Sequence, residues 1–202
     1  MDRKPYSAAM TKFLFWFQEF KIIVLLLNKG MSIGQIKDQN TQENLLQAKT
    51  PYRSRLIFNA VSARIEELPK GFLEIFEKTD FQTQKLINFI AILNHDSLFF
   101  DFLYEIYREK LITGVELLTE GDISQFFKNK QAQDERVAAW TPNTFNRIAR
   151  AYKGILLNAG LLRRGKVKEW YIERTILNAD LANALKAAEM AVYIAALTGE
   201  TL

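Results

Sequence analysis

The chain has 202 residues, a formal net charge of +4 and no cysteine. This length can bury a substantial hydrophobic core in one domain or in two small ones. The lack of cysteine excludes disulfide bonds and zinc sites built on thiolates. The modest net charge does not by itself indicate a nucleic-acid partner.

The N-terminal region predicts a buried helix over residues 11–29 that ends at Gly30. The uninterrupted apolar run at 22–27 has only six residues, far short of the ~20 that a membrane-spanning helix needs. No small-residue cleavage site follows this run, so a secretory signal is not indicated. We therefore expect a soluble, cytoplasmic protein that does not contact a membrane.

A first helix-turn-helix-like element is predicted near the N-terminus. Ser32 caps a short helix over 33–38, and Thr50 followed by Pro51 opens a longer helix that reaches about residue 68. A long helix, a glycine turn, a short helix and a basic helix follow one another in the order of a helix-turn-helix. Four basic residues and no acid lie within 49–64: Lys49, Arg53, Arg55 and Arg64.

The middle of the chain predicts aromatic-rich helices that form the central core. Pro69 breaks the preceding helix. Periodic apolar residues then indicate four helices, over residues 70–77, 80–94, 97–112 and 123–133. Gly114 and Gly121 bracket a predicted loop or short helical turn before the last of these.

The clearest helix signals lie in the C-terminal third of the chain. Thr141 is a favourable N-cap, Pro142 suits the first helical position, and Gly160 supplies the left-handed residue that commonly ends a helix. Between them, apolar residues recur at spacings of three and four, as one buried helix face requires. These residues are Phe145, Ile148, Tyr152, Ile155 and Leu156.

Two β-prone segments follow this helix and predict a short hairpin at about 161–172. Leu161 and Leu162 precede a basic glycine turn over 163–166, and residues 170–172 follow it. A helix that leads into a basic hairpin is the layout of a winged helix-turn-helix. A final Ala-rich helix is predicted from Asn178 or Asp180 to about residue 197.

Positive charge is concentrated in two segments of the chain. Residues 141–174 carry eight Lys and Arg against two Glu, a local net charge of +6, and residues 49–64 add +4. The remaining 152 residues therefore sum to −6. Such segregation is expected of a surface that binds a polyanion, although basic helices with merely solvated faces would also show it.

We predict that the polar face of the C-terminal helix, the hairpin and the earlier basic helix contact DNA, because they carry residue types that bond bases or phosphates. The candidates on the C-terminal helix are Asn143, Thr144, Asn146, Arg147, Arg150 and Lys153. Those on the hairpin are Arg163, Arg164, Lys166 and Lys168. Those on the earlier helix are Arg53, Arg55 and Arg64.

The sequence contains no recognisable catalytic or metal-binding constellation. His95 is the only histidine, so neither a Cys–His nucleophile pair nor a conventional zinc site can be assembled. The glycines at 30 and 34 lack the Gly-Lys-Ser/Thr ending of a phosphate-binding loop. We expect a protein that is not an enzyme and binds neither a cofactor nor a metal.

A series of short segments is distributed along nearly the whole chain. They are Tyr6-Ser7, Asn28-Lys29-Gly30-Met31-Ser32, Asn44-Leu45-Leu46, Asp101-Phe102, Val137-Ala138-Ala139-Trp140-Thr141, Ala159-Gly160-Leu161-Leu162 and Leu197-Thr198-Gly199. In this order and at this total length, the chain resembles the BrxA family of bacteriophage-exclusion (BREX) phage-defence clusters. The resemblance implies a helical protein that binds double-stranded DNA through helix-turn-helix elements, catalyses no reaction and acts beside other BREX proteins.

We therefore predict an all-α fold, a multi-helix bundle with two helix-turn-helix-like elements, the second one winged by the hairpin. It would form a single compact domain over 1–202, with sub-units 1–68, 69–118 and 119–202, and would be a monomer. Two alternatives stay open. One is a protein–protein adaptor within a defence complex, and the other is a helix-turn-helix transcription regulator, which would bind a palindromic site as a dimer.

Overall fold

The computed structural model describes residues 4–9, 14–166 and 169–200, and most of them are helical. The helices are α1 (Phe17–Asn28), α2 (Ile33–Glu43), α3 (Pro51–Glu66), α4 (Phe72–Lys78), α5 (Phe81–His95), α6 (Ser97–Phe102), α7 (Arg108–Thr113), α8 (Glu120–Gln133), α9 (Glu135–Ala138), α10 (Pro142–Asn158), α11 (Ala179–Ala187) and α12 (Ala191–Thr198). A π-helical segment, Leu103–Tyr107, joins α6 to α7. The strands are β1 (Leu117–Leu118), β2 (Leu162–Arg164) and β3 (Trp170–Ile172). The predicted helical class with a short C-terminal hairpin is confirmed.

The chain is divided into two compact units. One is the Phe15–His95 unit, which contains α1 to α5. The other, called here the C-terminal unit, combines Asp96–Leu202 with the N-terminal segment Met1–Leu14, of which residues 4–9 and 14 are described. These boundaries differ from the sub-unit limits predicted at residues 68 and 118.

An aromatic cluster holds the Phe15–His95 unit together. The ring of Phe17 in α1 lies 6.3 Å from that of Phe76 in α4 and 5.2 Å from that of Phe81 at the start of α5. The buried ring of Phe20 lies 5.5 Å from Phe76. These contacts bring α4 and α5 back against α1. The end of the helix before Pro69 therefore does not mark a boundary between the two units.

A buried polar pair joins α2 to α3. Asn40 Nδ2 donates to Ser54 Oγ at 2.8 Å, and Asn40 Oδ1 accepts from the backbone N–H of Leu46 at 3.1 Å. Because both polar ends of the amide are satisfied, Asn40 can be buried at little cost. The helix α2 includes this residue, so it is longer than the predicted segment over 33–38.

Packed aromatic rings form the core of the C-terminal unit. Tyr152 of α10 stacks on Phe99 of α6, with ring centroids 3.9 Å apart and an interplanar angle of 7°. Phe102 lies 5.5 Å from Tyr152 and 5.2 Å from Phe126 of α8. The helices α6, α8 and α10 therefore share one aromatic core. Of the two tandem helices predicted to form a central core, α6 belongs to this unit, whereas α5 belongs to the Phe15–His95 unit.

The sheet of the C-terminal unit contains a strand that we did not predict. β3 lies between β1 and β2 and pairs antiparallel with both. The prediction of a loop or helical turn between Gly114 and Gly121 was therefore wrong where β1 forms. Two residues are too few to show a strand periodicity, and their partner β3 is distant in sequence.

Two helices also differ from their predicted lengths. The predicted final helix is divided into α11 and α12, because Glu189 between them has a left-handed backbone with φ of 58°. The helix α1 begins only after Trp16, which has φ of 43°. Of the longer helix predicted there, residues 11–13 lie outside the described residues.

The length and hydrophobicity of the helices bear on whether one of them could cross a membrane. Among the described residues, no single helix is both long and apolar enough to cross a membrane, and α5 with the helix that follows reaches that length only when the two are added together. Most of α5 is buried.

Across residues 4–9, 14–166 and 169–200, His, Asp and Glu side chains form no group of three or more that could hold a metal ion.

A buried lysine joins α8, α6 and the N-terminal segment. Lys130, only 3% exposed, places its Nζ 3.2 Å from Asp101 Oδ2 and 2.6 Å from Glu105 Oε1. The hydroxyl of Tyr6 donates to the same Asp101 carboxylate. Burial lowers the pKa of Lys130, but the hydrogen bonds and charges of Glu105 and Asp101 outweigh it, so the pKa is raised and the amine is charged.

We expect the Lys130→Met variant to have a free energy of unfolding lower by about 3–5 kcal/mol, because the buried Asp101 carboxylate then loses its ion pair with the Lys130 ammonium. Urea unfolding monitored by circular dichroism measures this change. Lys128→Met is the matched control, since Lys128 is exposed on the same helix and surface changes usually stay within about 0.5 kcal/mol. Recovery in the double variant Lys130→Met/Asp101→Leu is also expected, and a double variant as unstable as the single one would contradict the ion pair's role.

The stability of the C-terminal unit should fall as the pH rises above about 10. Burial, together with nearby carboxylates, raises the pKa of Tyr152, and burial likewise raises the pKa of Tyr107. Above the unfolded pKa, the unfolded chain loses phenolic protons that the folded protein keeps, so the free energy of unfolding decreases with pH. Urea unfolding over an alkaline pH series should show a shallower decline for Tyr152→Phe than for the wild type. Tyr52→Phe, which alters an exposed ring, should leave the decline unchanged, and equal slopes for both variants would refute the assignment.

Candidate nucleic-acid interface

The helix α10 is fixed at both ends by the predicted residues. Thr141 Oγ1 accepts from the backbone N–H of Thr144 at 3.3 Å, and Pro142 occupies the first helical position. Gly160 follows the helix with φ of 76°, a conformation that glycine adopts at little cost. Both helix-end predictions are confirmed.

The buried stripe of α10 decides which side chains face outward. Ile148, Tyr152, Ile155 and Leu156 are buried, and helical periodicity places a different set on the opposite face. That set is exposed and consists of Asn143, Asn146, Arg147 and Arg150. The helix contains no acidic residue, so this face combines two amides and two guanidinium groups without an opposing charge of its own.

Thr144 does not belong to this exposed face. Its hydroxyl shares a hydrogen bond of 3.0 Å with the hydroxyl of Thr141, and the residue is half-buried. The side chain therefore supports the N-terminal cap of α10, and the assignment of Thr144 as a DNA contact stays a prediction.

Lys153 is held within the C-terminal unit. Its Nζ forms an ion pair with Glu120 at the start of α8 and lies 5.5 Å from the ring centroid of Trp170 in β3. The side chain is only 14% exposed. Contrary to the prediction, Lys153 therefore positions β3 and α8 against α10 rather than offering an unpaired charge.

The hairpin arranges its arginines on aromatic rings of the facing strand. Arg163 is the register partner of Tyr171 and lies 4.8 Å over its ring, while Arg164 is the partner of Trp170 and lies 5.1 Å over it. Consecutive strand residues point to opposite faces, so the two arginines diverge. Arg164 shares the ring of Trp170 with Lys153 of α10, whereas Arg163 is on the other face.

Among the described residues, Arg163 forms an ion pair with a carboxylate, whereas Arg164 does not. Arg163 Nε donates to Glu173 Oε1 at 2.7 Å. Lys166 is exposed and its backbone N–H donates to Glu169 Oε2 at 3.2 Å. The fourth predicted hairpin contact, Lys168, lies outside the described residues.

The basic helix of the Phe15–His95 unit is only partly as predicted. Arg53 and Arg55 are exposed, and Arg53 lies 5.9 Å from the ring centroid of Trp16. Arg64 is 1% exposed and lies 5.5 Å from the same ring. Arg64 was predicted to contact DNA, and that prediction is wrong because its side chain is in the core of the unit.

Trp170 is the residue of this region whose role was missed. It lies within 6 Å of two cationic groups, Lys153 and Arg164, and so fixes the distance between α10 and the hairpin. The predicted turn over 163–166 included Arg164 itself, whereas Arg164 is a strand residue paired with Trp170, so the predicted register could not show this contact.

The fold and this surface define a mostly helical protein with an exposed basic helix followed by a basic hairpin. The BrxA family model matches residues 4–189. A BREX protein BrxA of Bacillus cereus (strain H3081.97) is 35% identical over 184 residues, covering 91% of this chain and 92% of the relative. The chain belongs to the BrxA family, and the resemblance to the BrxA proteins of BREX phage-defence clusters is confirmed.

More distant relatives agree with this assignment. A BREX protein BrxA of Paramagnetospirillum magneticum (strain ATCC 700264 / AMB-1) is 23% identical over 148 residues, covering 73% of this chain and 74% of the relative. The crystal structure of an uncharacterized protein from Magnetospirillum magneticum matches with a TM-score of 0.81 over 98% of this chain and 100% of that chain. At 19% identity, the structural match shows a shared fold alone.

We expect Lys153 to react several-fold more slowly than Lys166 with an amine-acetylating reagent, because its amine is paired with Glu120 and largely covered. Mass spectrometry of peptides from a time course of acetylation measures both rates. In the Glu120→Gln variant the rate at Lys153 should rise while the rate at Lys166, an exposed residue, stays the same. Equal rates in the wild-type protein would show that Lys153 is not held.

Proposed function

We propose that this protein is a non-enzymatic, double-stranded DNA-binding component of a BREX phage-defence system. The observation that carries the proposal is the exposed face of α10, with Asn143, Asn146, Arg147 and Arg150. Arginine pairs with the guanine edge and asparagine with the adenine edge in the major groove, and both residue types also bond phosphates. Within the described ranges, neither Arg147 nor Arg150 has an ion-pair partner, so both guanidinium groups are available to DNA.

The order of elements around α10 supports a winged-helix mode of binding. The helices α8 and α10 would form the helix-turn-helix, and β2 with β3 would form the wing. A helix of the length of α10 extends about 25 Å, and the major groove is about 12 Å wide, enough to admit it. With α10 in the major groove, Arg164 and Lys166 would contact the phosphate backbone of the DNA beside that groove. Trp170 would hold Arg164 at a set distance from α10.

The Phe15–His95 unit would supply a separate phosphate contact. Arg53 and Arg55 are exposed in the first two turns of α3, which begins with the Thr50 cap and Pro51. The N-terminus of a helix also favours anions through its backbone N–H groups. We assign this surface to phosphates rather than to base readout, because both side chains are cationic and no amide side chain is exposed beside them in the first turn.

The proposed function also includes the partners, the cellular compartment and the oligomeric state of the protein. The relatives named BREX protein BrxA support a place beside other BREX proteins. We propose that the protein acts in the cytoplasm as a monomer, without a cofactor, and that its contribution to defence is DNA binding rather than catalysis.

The variant Arg147→Ala/Arg150→Ala/Arg164→Ala should bind a random duplex of about 30 base pairs at least about 100-fold more weakly than the wild type. The log–log dependence of its affinity on salt should also be shallower by about 3, because each lost phosphate contact removes close to one unit of slope. Fluorescence anisotropy across a salt series measures both quantities.

The matched control is Lys70→Ala/Lys78→Ala/Lys186→Ala, which removes the same charge from exposed lysines outside the proposed interface. Equal losses in the two variants would assign binding to overall charge and not to α10 and its hairpin. A wild-type protein that binds no duplex at physiological salt would instead favour the adaptor. A dimer on a palindromic site would favour the transcription regulator.

A further inference from the structure

A cavity of about 300 Å³ opens in the C-terminal unit between α8 and the first turns of α10. Its floor is aromatic. The ring of Phe145 lies 5.1 Å from that of buried Phe127 and 5.8 Å from that of Trp140. Phe145 and Trp140 are only half-buried, so they present ring surface to an occupant of the cavity.

The rim of this cavity is polar and nearly neutral. It includes the amides of Gln131 and Asn146 and the hydroxyl of Ser124. Each amide offers both a donor and an acceptor. One acid and one base also line the cavity, and the acid, Glu120, is already paired with Lys153. The lining therefore suits an uncharged planar ring with hydrogen-bonding edges better than a phosphate group.

We propose that this cavity binds a nucleobase, stacked on Trp140 or Phe145 and bonded at its edge by Gln131 and Asn146. Its volume is at the lower end of the range for small-ligand sites, about 300–1,000 Å³, which suits one base and not a dinucleotide. Aromatic stacking holds any base, because every base has a π-face. Amide side chains then distinguish bases by their donor and acceptor patterns.

The nucleobase can come from either of two sources. Asn146 lines the cavity and is also exposed on the outer face of α10, so an unpaired base of DNA bound along that face would reach the cavity directly. This source rests on the proposed DNA-binding function. The second source is a free mononucleotide, which would bind independently of DNA.

The experiment compares a fully paired duplex with the same duplex carrying one unpaired adenine, by fluorescence anisotropy, and adds a titration with adenosine monophosphate followed by tryptophan fluorescence. Gln131→Ala removes one edge contact, and Ser124→Phe fills the cavity from an exposed position of α8. Gln125→Ala is the matched control, because this glutamine is exposed on the same helix but does not line the cavity.

If an unpaired base is the ligand, the wild type should prefer the duplex with the unpaired adenine by at least about 5-fold, the lower limit expected of one stacked base. Gln131→Ala and Ser124→Phe should lose this preference, and Gln125→Ala should keep it. Since paired-duplex affinity is measured alongside, a change in the ratio separates the cavity from the rest of the interface. A preference that persists in both cavity variants would overturn the proposal.

If a free nucleotide is the ligand, adenosine monophosphate should quench the fluorescence of the wild type and of Gln125→Ala, but much less that of Ser124→Phe. Trp140→Phe should lose the quenching, which identifies the ring concerned. Failure of the paired duplex to bind would refute the proposed function alone, because the nucleotide titration still tests the cavity. If the wild type shows no quenching by adenosine monophosphate and no preference for the duplex with the unpaired adenine, the nucleobase site is refuted.

Discussion

The stack of Tyr152 on Phe99 determines how the C-terminal unit can present its basic residues. Both rings are buried, and they lie nearly parallel with centroids 3.9 Å apart. A stacked pair enclosed in a close-packed core leaves α10 little freedom to rotate about its axis. The face that carries Arg147 and Arg150 is therefore directed outward by the aromatic core, and mutual repulsion of the charges is not needed to explain it.

Features set by neighbouring residues could be predicted from the sequence. Thr141, Pro142 and Gly160 act on backbone groups only a few residues away, and the helix they delimit has the predicted start and end. The apolar periodicity of α10 is also local, and it identified four of the buried side chains. Phe145 is half-buried instead, because it lies at the edge of the core beside Trp140 and not within it.

Features set by distant partners could not be predicted in this way. A positive charge in the sequence does not tell whether the side chain is covered, and Arg64 is covered by Trp16, far from it along the chain. Lys153 is likewise held by Glu120 from another helix. The strand β1 formed only because β3 pairs with it. Charge segregation therefore located the basic region, while the choice among its residues required the tertiary contacts.

The basic side chains that are exposed fall into two physical classes, and the distinction bears on how binding energy would arise. Arg164 lies over Trp170, so it is partly ordered before any ligand arrives and loses less conformational freedom when it forms a contact. Arg163 is ordered over Tyr171 but must exchange Glu173 for a new partner. Arg147 and Arg150 would lose more conformational entropy on binding, but they give up no ion pair within the described residues. Under the proposed function they would contribute the electrostatic attraction, while the ring-bound Arg164 would set the geometry. A surface built this way can bind a polyanion firmly through α10 and still fix the position of the hairpin against it, because attraction and positioning are assigned to different residues.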